Sequence, residues 1–443
     1  MSQVAAAASS GQKQVSLKLL NHASFLLSTG GVSLLFDPWY EGACFRGGWG
    51  LSYDNPDAYA DAAGATHLWI SHFHGDHLHL PTLRKIAQKN PSIRVLANVS
   101  ANFEMKTPLT AAGFQNVAAF SERQTIEISS GVRVTRYPCT GIDNMLAVNA
   151  AGLTVLNLND CNLPKEALSR LVKKMGSVDV LLVNFNHAYK LMDGLSDEAV
   201  KDMLKKRFLA ILEAVRPRFV IPFASMHYYR ATQSADQNRS MLDLRDLTAL
   251  DPRVMALGFG DTACFASGQN PVVIRKTPPL ALAARDEKIH DKPASWEEIL
   301  SAAEKFRRRL RKNFLGLKFG LSPLVIRVSD LGRAVLLDIS KRVCEVPAED
   351  AQIEAHSQSI MEWMAGPYGT DAFFVGADFA VLDPDTRALK RLLLAGDFAD
   401  NGLSPRHLLG MVLTLRGIPF LWFRREEIFS ILKNRRLTLG YRT

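Results

Sequence analysis

Cysteine is scarce in this chain. There are 5 in 443 residues (Cys44, Cys139, Cys161, Cys264 and Cys344), odd in number and widely scattered. That excludes a disulfide framework and points to a reducing, cytoplasmic compartment. Long hydrophobic runs are lacking too. The most apolar late stretch, 410–423, is interrupted by Arg416 and Pro419 and is too short to span a bilayer. Residues 1–14 are small and polar, with no charged segment ahead of an apolar core, so they read as a flexible tail and not a secretion signal. No internal repeat or low-complexity tract stands out. At 47% hydrophobic and 22% charged, the composition excludes a disordered or collagen-like chain. The length suggests two or three domains at roughly 150 residues each.

Negative charge is in deficit. Lys and Arg number 53 against 44 Asp and Glu, a net charge of +9, which favours anionic partners. Part of the excess is the run 305–312, which reads as the solvated face of a helix with Phe306 and Leu310 turned inward. No aromatic-rich or glycine-rich nucleic-acid module accompanies it, so nucleic acid is not an expected partner.

From Val15 to about Phe265 β-rich runs alternate with helical ones. Strands are predicted at 15–20, 24–27 and 32–36, with Gly30-Gly31 as a hairpin turn, then at 67–71, 94–98, 132–137, 145–148, 154–158, 178–185 and 218–223. Helices are predicted at 80–89, 165–174 and 197–215. Hairpin-connected strands followed by crossover helices imply an α/β sandwich with mixed sheets. The stretch 266–294 is rich in Pro, Lys and Asp and reads as a linker. Ser295-Trp296-Glu297-Glu298 is a capping box, so a helix should start at Trp296. β-like runs at 324–328, 334–339 and 373–375, with helical patterns at 353–365 and 405–415, suggest a smaller C-terminal α+β domain over 295–443.

Eight of the 11 histidines precede residue 230, and the densest segment is Ser71-His72-Phe73-His74-Gly75-Asp76-His77. A strand ends just before it. Period-two spacing puts His72 and His74 on one side, and the turn at Gly75 brings Asp76 and His77 round to a second position. Two histidines for one cation, and a carboxylate with a histidine for its neighbour, is a way to build a dinuclear site from six residues. A solvated turn does not accumulate three histidines and an aspartate by drift. His79 is expected to face outward from the next helix.

HxHxDH is the hallmark of the metallo-β-lactamase superfamily, which the chain resembles over about Val15 to Phe265. The implied fold is an αββα metallo-β-lactamase-type sandwich. Asn21-His22-Ala23-Ser24-Phe25 and Phe36-Asp37-Pro38-Trp39 are similar to its opening strands and first acidic motif. Asn159-Asp160-Cys161 is similar to the motif whose aspartate bridges two metals. The resemblance therefore implies His72, His74, Asp76, His77 and Asp160 as metal ligands, with Asp76 and Asp160 serving the chemistry as well. Where much of the superfamily has a further histidine, this chain reads Tyr137-Pro138-Cys139-Thr140-Gly141-Ile142-Asp143. Asp143 or Cys139 fills that place, and Asp143 is preferred as a hard ligand compatible with iron. His187 and His227, each ending a predicted strand, are the two candidates for the last ligand. His22, Asp37, Trp39, Trp49, Cys139 and Tyr228 are expected to orient ligands or meet substrate.

Within the superfamily the chain is most similar to the metal domain of CMP-N-acetylneuraminate hydroxylases. The likeness rests on Asp37-Pro38-Trp39, Gly47-Gly48-Trp49, 71–77, Ile142-Asp143, 156–161 and 216–224. Those hydroxylases carry a Rieske module, and no Cys-x-His…Cys-x-x-His pattern occurs in this sequence. A diiron β-hydroxylase of the chloramphenicol pathway also resembles this fold and has a carboxylate among its ligands. The reading favoured by these resemblances is a diiron, O2-dependent oxygenase acting on a small anionic molecule, with electrons from an external donor such as a separate reductase. Zinc or manganese are the alternative metals. A dinuclear zinc hydrolase of a phosphoester, lactone or amide, and a non-catalytic scaffold, are the alternative functions. Residues 295–443 resemble a sterol-carrier-type module at 324–340 and 368–383. That domain is expected to close over the site, recruit a reductase or carrier protein, or make a homodimer.

Overall fold

The computed structural model describes residues 14–100, 103–139, 143–192, 194–276, 285–313, 321–366 and 368–400. The expected N-terminal tail, save Gln14, and the helix expected at 405–415 lie outside these residues.

The chain opens with β1 (Gln14–Asn21), β2 (Ser24–Thr29) and β3 (Val32–Phe36), an antiparallel meander. Thr29 pairs with Val32 across Gly30 and Gly31, both at positive φ, the conformation that a two-residue hairpin turn demands. There follow β4 (Trp49–Leu51), α1 (Ala58–Ala63), β5 (His67–Trp69), α2 (Leu80–Lys89), β6 (Arg94–Ser100), β7 (Phe103–Glu104), α3 (Lys106–Ala111) and β8 (Asn116–Ser121). A second set comprises β9 (Thr125–Ser129), β10 (Val132–Pro138), β11 (Asn144–Ala150), β12 (Leu153–Asn157), α4 (Lys165–Met175), β13 (Val180–Val183), α5 (Asp197–Val215) and β14 (Phe219–Pro222). Then come β15 (His227–Tyr229), which pairs with β4, α6 (Leu244–Thr248), β16 (Thr262–Ala266) and β17 (Val272–Ile274). β17 pairs with β16, so the stretch read as a linker begins by adding a strand to the sheet.

Two sheets result. One has nine strands, along the path β17-β16-β1-β2-β3-β5-β6-β7 with β8 beside β6, and the other runs β14-β13-β12-β11-β10-β9. Alternation along the strands decides how they stack. Leu34 and Phe36 of β3 face the second sheet, in one core with Val134, Val148, Val155 and Leu182, while Leu35 faces the opposite way with Leu83, Ile86 and Leu109. A one-residue slip would exchange these faces, so burial fixes the register. Helices α1–α3 cover the first sheet, and α4 and α5 cover the second through Leu168, Val172, Leu204 and Phe208. The order is helix, sheet, sheet, helix, as in the metallo-β-lactamase sandwich.

The C-terminal unit consists of α7 (Trp296–Asn313), β18 (Leu324–Val328), β19 (Arg333–Leu337), β20 (Val343–Val346), β21 (Ile353–Ala355), α8 (Ser357–Ala365), α9 (Gly369–Gly376), β22 (Ala380–Val381) and α10 (Arg387–Asp400). Its sheet runs β20-β19-β18-β21-β22. Trp296, Phe306, Leu310, Trp363 and Phe373 form its own core. The capping box at Ser295 and Glu298 starts α7. Two expectations fail here. Residues 373–375, read as a strand, lie inside α9, where Phe373 stacks between Trp363 and Phe379 at ring-centroid distances of 4.4 and 4.7 Å. So short an apolar run carries no usable period. Residues 353–365, read as one helix, split at His356. The first three pair in parallel with β18, and the His356 ring then caps α8 by accepting from the Gln358 amide at 3.2 Å. No helix among the described residues is long and apolar enough to cross a membrane.

Candidate metal centre

The candidate residues lie just past the ends of strands at one edge of the sandwich. His22 follows β1, Asp37 follows β3, His72 to His77 follow β5, Asp160 follows β12, and His227 opens β15 after β14. Positive φ at His22, Asp37, Asn159 and Ala224 marks the same edge. Non-glycine residues are held in that conformation only where surrounding structure compels it, and such positions concentrate at functional sites.

Two groups of donors form. His72, His74 and Asp160 make one, and His22, Asp76 and His77 make the other, with the donor atoms in each within 4.8 Å of one another. His72 Nε2 and His74 Nδ1 converge to 2.9 Å. His77 Nε2 sits 3.2 Å from both Asp76 Oδ2 and Asp160 Oδ2 without hydrogen-bond geometry to either. Asp160 Oδ2 is also 3.7 Å from His72 Nε2, which puts this carboxylate between the two groups. Asp143 Oδ1 approaches the first group, 3.8 Å from His72 Nε2. Buried atoms without a hydrogen-bond partner gather here: Asp76 Oδ1, His22 Nδ1, His77 Nε2 and both ring nitrogens of His227. Burying polar atoms without partners costs roughly 1–3 kcal/mol each, and a bound cation removes that cost. The donor set fits metal ions on these grounds.

The surroundings hold these rings in place. Asp37 is fully buried and accepts from the Ser71 amide at 2.8 Å and the Asn159 side-chain amide at 2.7 Å. Its Oδ2 also lies 3.1 Å from His77 Nδ1, which turns His77 Nε2 toward the carboxylates. Ser71 Oγ contacts His72 Nδ1 at 2.9 Å. His22 Nε2 meets Asp76 Oδ2 at 3.2 Å, and the His22 ring packs edge-on to Trp39. Trp49 stacks flat on His227 at 3.7 Å. Asn98 and Asn144 each donate to the Ser71 carbonyl at 2.8 Å, fixing the end of β5. No spacing in the sequence marks these two asparagines, since each acts through a contact between distant strands.

Three expected residues point elsewhere. His187 is buried with both ring nitrogens engaged, Nδ1 with the Tyr229 hydroxyl at 3.0 Å and Nε2 with Ser240 Oγ at 3.0 Å. The Tyr228 hydroxyl donates to Asp286 at 2.5 Å. Cys139 is buried in the core between the sheets, beside the Cys161 thiol. His79 does not face outward. It is buried at the start of α2, where it accepts from the Thr82 amide.

Electrostatics follow the geometry. Burial together with the neighbouring His77 and His74 depresses His72 well below the ordinary histidine range. Burial, reinforced by His22, does the same to His227. Burial opposes a charge on His74, yet the Asp371, Asp76 and Asp143 carboxylates hold it up at about 10. Burial, followed by the negative charge of Asp160, raises Asp143 to about 7. Burial resists ionisation of Asp76, but His77 and His22 overcome it and hold the carboxyl well below its usual range.

Residues 16–224 match the family model of the Beta-lactamase superfamily domain. The chain is 25% identical over 249 residues to cytidine monophosphate-N-acetylneuraminic acid hydroxylase of Danio rerio, covering 51% of this chain and 40% of the relative. It thus spans well under half of that relative's length. Among solved structures it is similar to CmlA, a diiron β-hydroxylase from Streptomyces venezuelae, at 16% identity and a TM-score of 0.41, over 58% of this chain and 54% of that one. It is also similar to Igni18, a metallo hydrolase from Ignicoccus hospitalis, at 17% identity and a TM-score of 0.40, over 57% of this chain and 98% of that one.

Proposed function

We propose that the beta-lactamase superfamily domain of this chain is a dinuclear metalloenzyme, and that it is an O2-dependent diiron oxygenase acting on a small, anionic molecule. The observation that carries the reading is the convergence of His72, His74, Asp76, His77 and Asp160 on one edge, where Asp76 Oδ1 and His77 Nε2 are buried without a hydrogen-bond partner. His72 and His74 would hold one ion and Asp76 and His77 the other. Asp160 lies between them, and His227 is the remaining donor. His22 orients Asp76, and Asp37 orients His77. Asp143 adds a hard oxygen beside His72, which favours iron. The similarity to hydroxylases over half the chain adds to this preference. When bound, the ions supply the redox chemistry that hydroxylation by O2 requires, with electrons from a separate donor. The chain's own part is to fix the donors, keep Asp160 between the two groups and enclose the edge with Trp39 and Trp49, both buried.

The same histidine-rich set accepts zinc, and the second reading is a dinuclear zinc hydrolase. Metal analysis of protein purified anaerobically separates the two. Two irons per chain, a visible band after oxidation and O2 consumption with a chemical reductant are expected. Two zinc ions, no colour and hydrolysis of model phosphoesters or lactones would replace the oxygenase by the hydrolase. No bound metal under either condition would leave a scaffold.

A further inference from the structure

We propose that the C-terminal unit completes the metal centre by supplying Asp371, a positioning residue that holds the remote nitrogen of His74. The inference rests on the metal-centre reading above and concerns a residue that the His/Asp motifs do not include.

His74 uses its two ring nitrogens differently. Nδ1 converges with His72 Nε2 at 2.9 Å on the donor side, while Nε2 faces away and lies 3.2 Å from Asp371 Oδ2. A histidine that binds metal through one nitrogen characteristically gives its other N–H to a carboxylate, which fixes tautomer and ring plane and strengthens the donor. Asp37 stands in that relation to His77, from inside the first domain. Asp371 Oδ2 lies at ion-pair distance from His74 Nε2, in the place such a carboxylate takes, almost three hundred positions further along the chain.

The fold holds Asp371 at this place. It lies in the first turn of α9, whose last residues are pinned to the first domain. The Trp49 indole donates to the Val375 carbonyl at 2.9 Å, and the Lys190 amide donates to the Phe374 carbonyl at 3.3 Å. Val375 and Ala377 join Trp39, Phe45, Trp49 and Tyr229 in one small buried cluster. At the helix entrance, Tyr368 packs on Phe73 with ring centroids 5.3 Å apart. Gly48 and Gly376 meet backbone to backbone, so closely that a Cβ on Gly48 would fall on the Gly376 main chain. Trp49 links the two parts in another way, since the ring held by Val375 is the one stacked on His227. Docking of α9 therefore reaches His74 through Asp371 and His227 through Trp49.

The test is a titration of metal-free, full-length protein with Co2+ against a competing chelator, followed by the visible Co2+ bands. Wild-type protein should take up two ions. Asp371→Ala should weaken one of them about 10–100-fold and alter its band while leaving the other near its original affinity. Asp371→Asn, which keeps an acceptor oxygen for the Nε2 proton, should recover most of the loss. In a His74→Ala background, Asp371→Ala should add nothing. Two ions bound by Asp371→Ala with wild-type affinity and spectrum would overturn the proposal while leaving the metal centre standing. So would an equal weakening of both ions that persists without His74, because it marks a loosened seam. Wild-type protein that takes up no ion overturns the metal-centre reading and this proposal together.

Discussion

Asp37 and His77 lie forty positions apart in sequence and meet at 3.1 Å in a site that excludes water from both side chains. Asp37 ends its strand in a left-handed conformation and gathers the Ser71 amide, the Asn159 amide and the His77 ring on one carboxylate. The loop that carries the histidine cluster is therefore anchored by a residue of a different strand. Replacing Asp37 by Ala should cost about 3–5 kcal/mol, since several buried polar groups lose their partner together. Urea unfolding of the metal-free protein measures that loss. Co2+ affinity should fall about 10–100-fold in addition.

His227 and His187 should behave oppositely. His227 is buried against Trp49 with neither nitrogen partnered, whereas both nitrogens of His187 are engaged by Tyr229 and Ser240. His227→Ala is expected to lose one of the two metal ions by elemental analysis. His187→Gln should retain both, and equal losses in the two variants would contradict this division.

His187 instead gives the fold a pH dependence. Burial and the Arg207 guanidinium lower its pKa from the ordinary 6.5 to about 4. Between those values the unfolded chain binds a proton that the folded chain refuses. The contribution is thus fully present above about 6.5 and lost as pH falls through 4, about 3 kcal/mol in all. Denaturant midpoints between pH 7 and pH 4 should show a shallower fall in His187→Gln than in wild type.

The C-terminal unit is tied to the segment before it by a buried ion pair. Lys288 Nζ lies 2.7 Å from Asp378 Oδ2, His290 Nε2 reaches the same oxygen at 3.0 Å, and Ser359 bonds to it as well. Lys288→Met should destabilise the protein by about 3–5 kcal/mol, because it leaves the Asp378 charge buried with weaker partners. Thermal unfolding measures the loss. A change within experimental error would show that His290 alone suffices.

Gly48 should tolerate no side chain. A Cβ there meets the main chain of Gly376, which has no flexible end to yield. Gly48→Ala is expected to cost about 1–3 kcal/mol in thermal unfolding. It should also shift the Co2+ spectrum in the same direction as Asp371→Ala, as both weaken the seat of α9.

Much of this protein is written locally. The strand alternation at 32–36, the Gly30-Gly31 turn, the capping box at Ser295 and the cluster at 72–77 each depend on neighbours within a few residues, and pattern alone predicts them. The helices at 80–89 and 197–215 occupy the predicted residues for the same reason. What sequence could not decide concerns groups brought together from far apart. His187 and His227 look alike in sequence, each closing a strand, and only the placement of Tyr229 and Ser240 separates them. His79 carries no outward or inward mark until Thr82 turns to meet it. Residues 373–375 are too few to show a period, so packing against Trp363 and Phe379 made them helical. Asp371 had no signal at all, being one acidic residue in a helix whose position depends on Gly48, Trp49 and Gly376. Local preference fixes most of the elements. The partner of a buried polar atom is decided by which chain segment the hydrophobic packing delivers beside it.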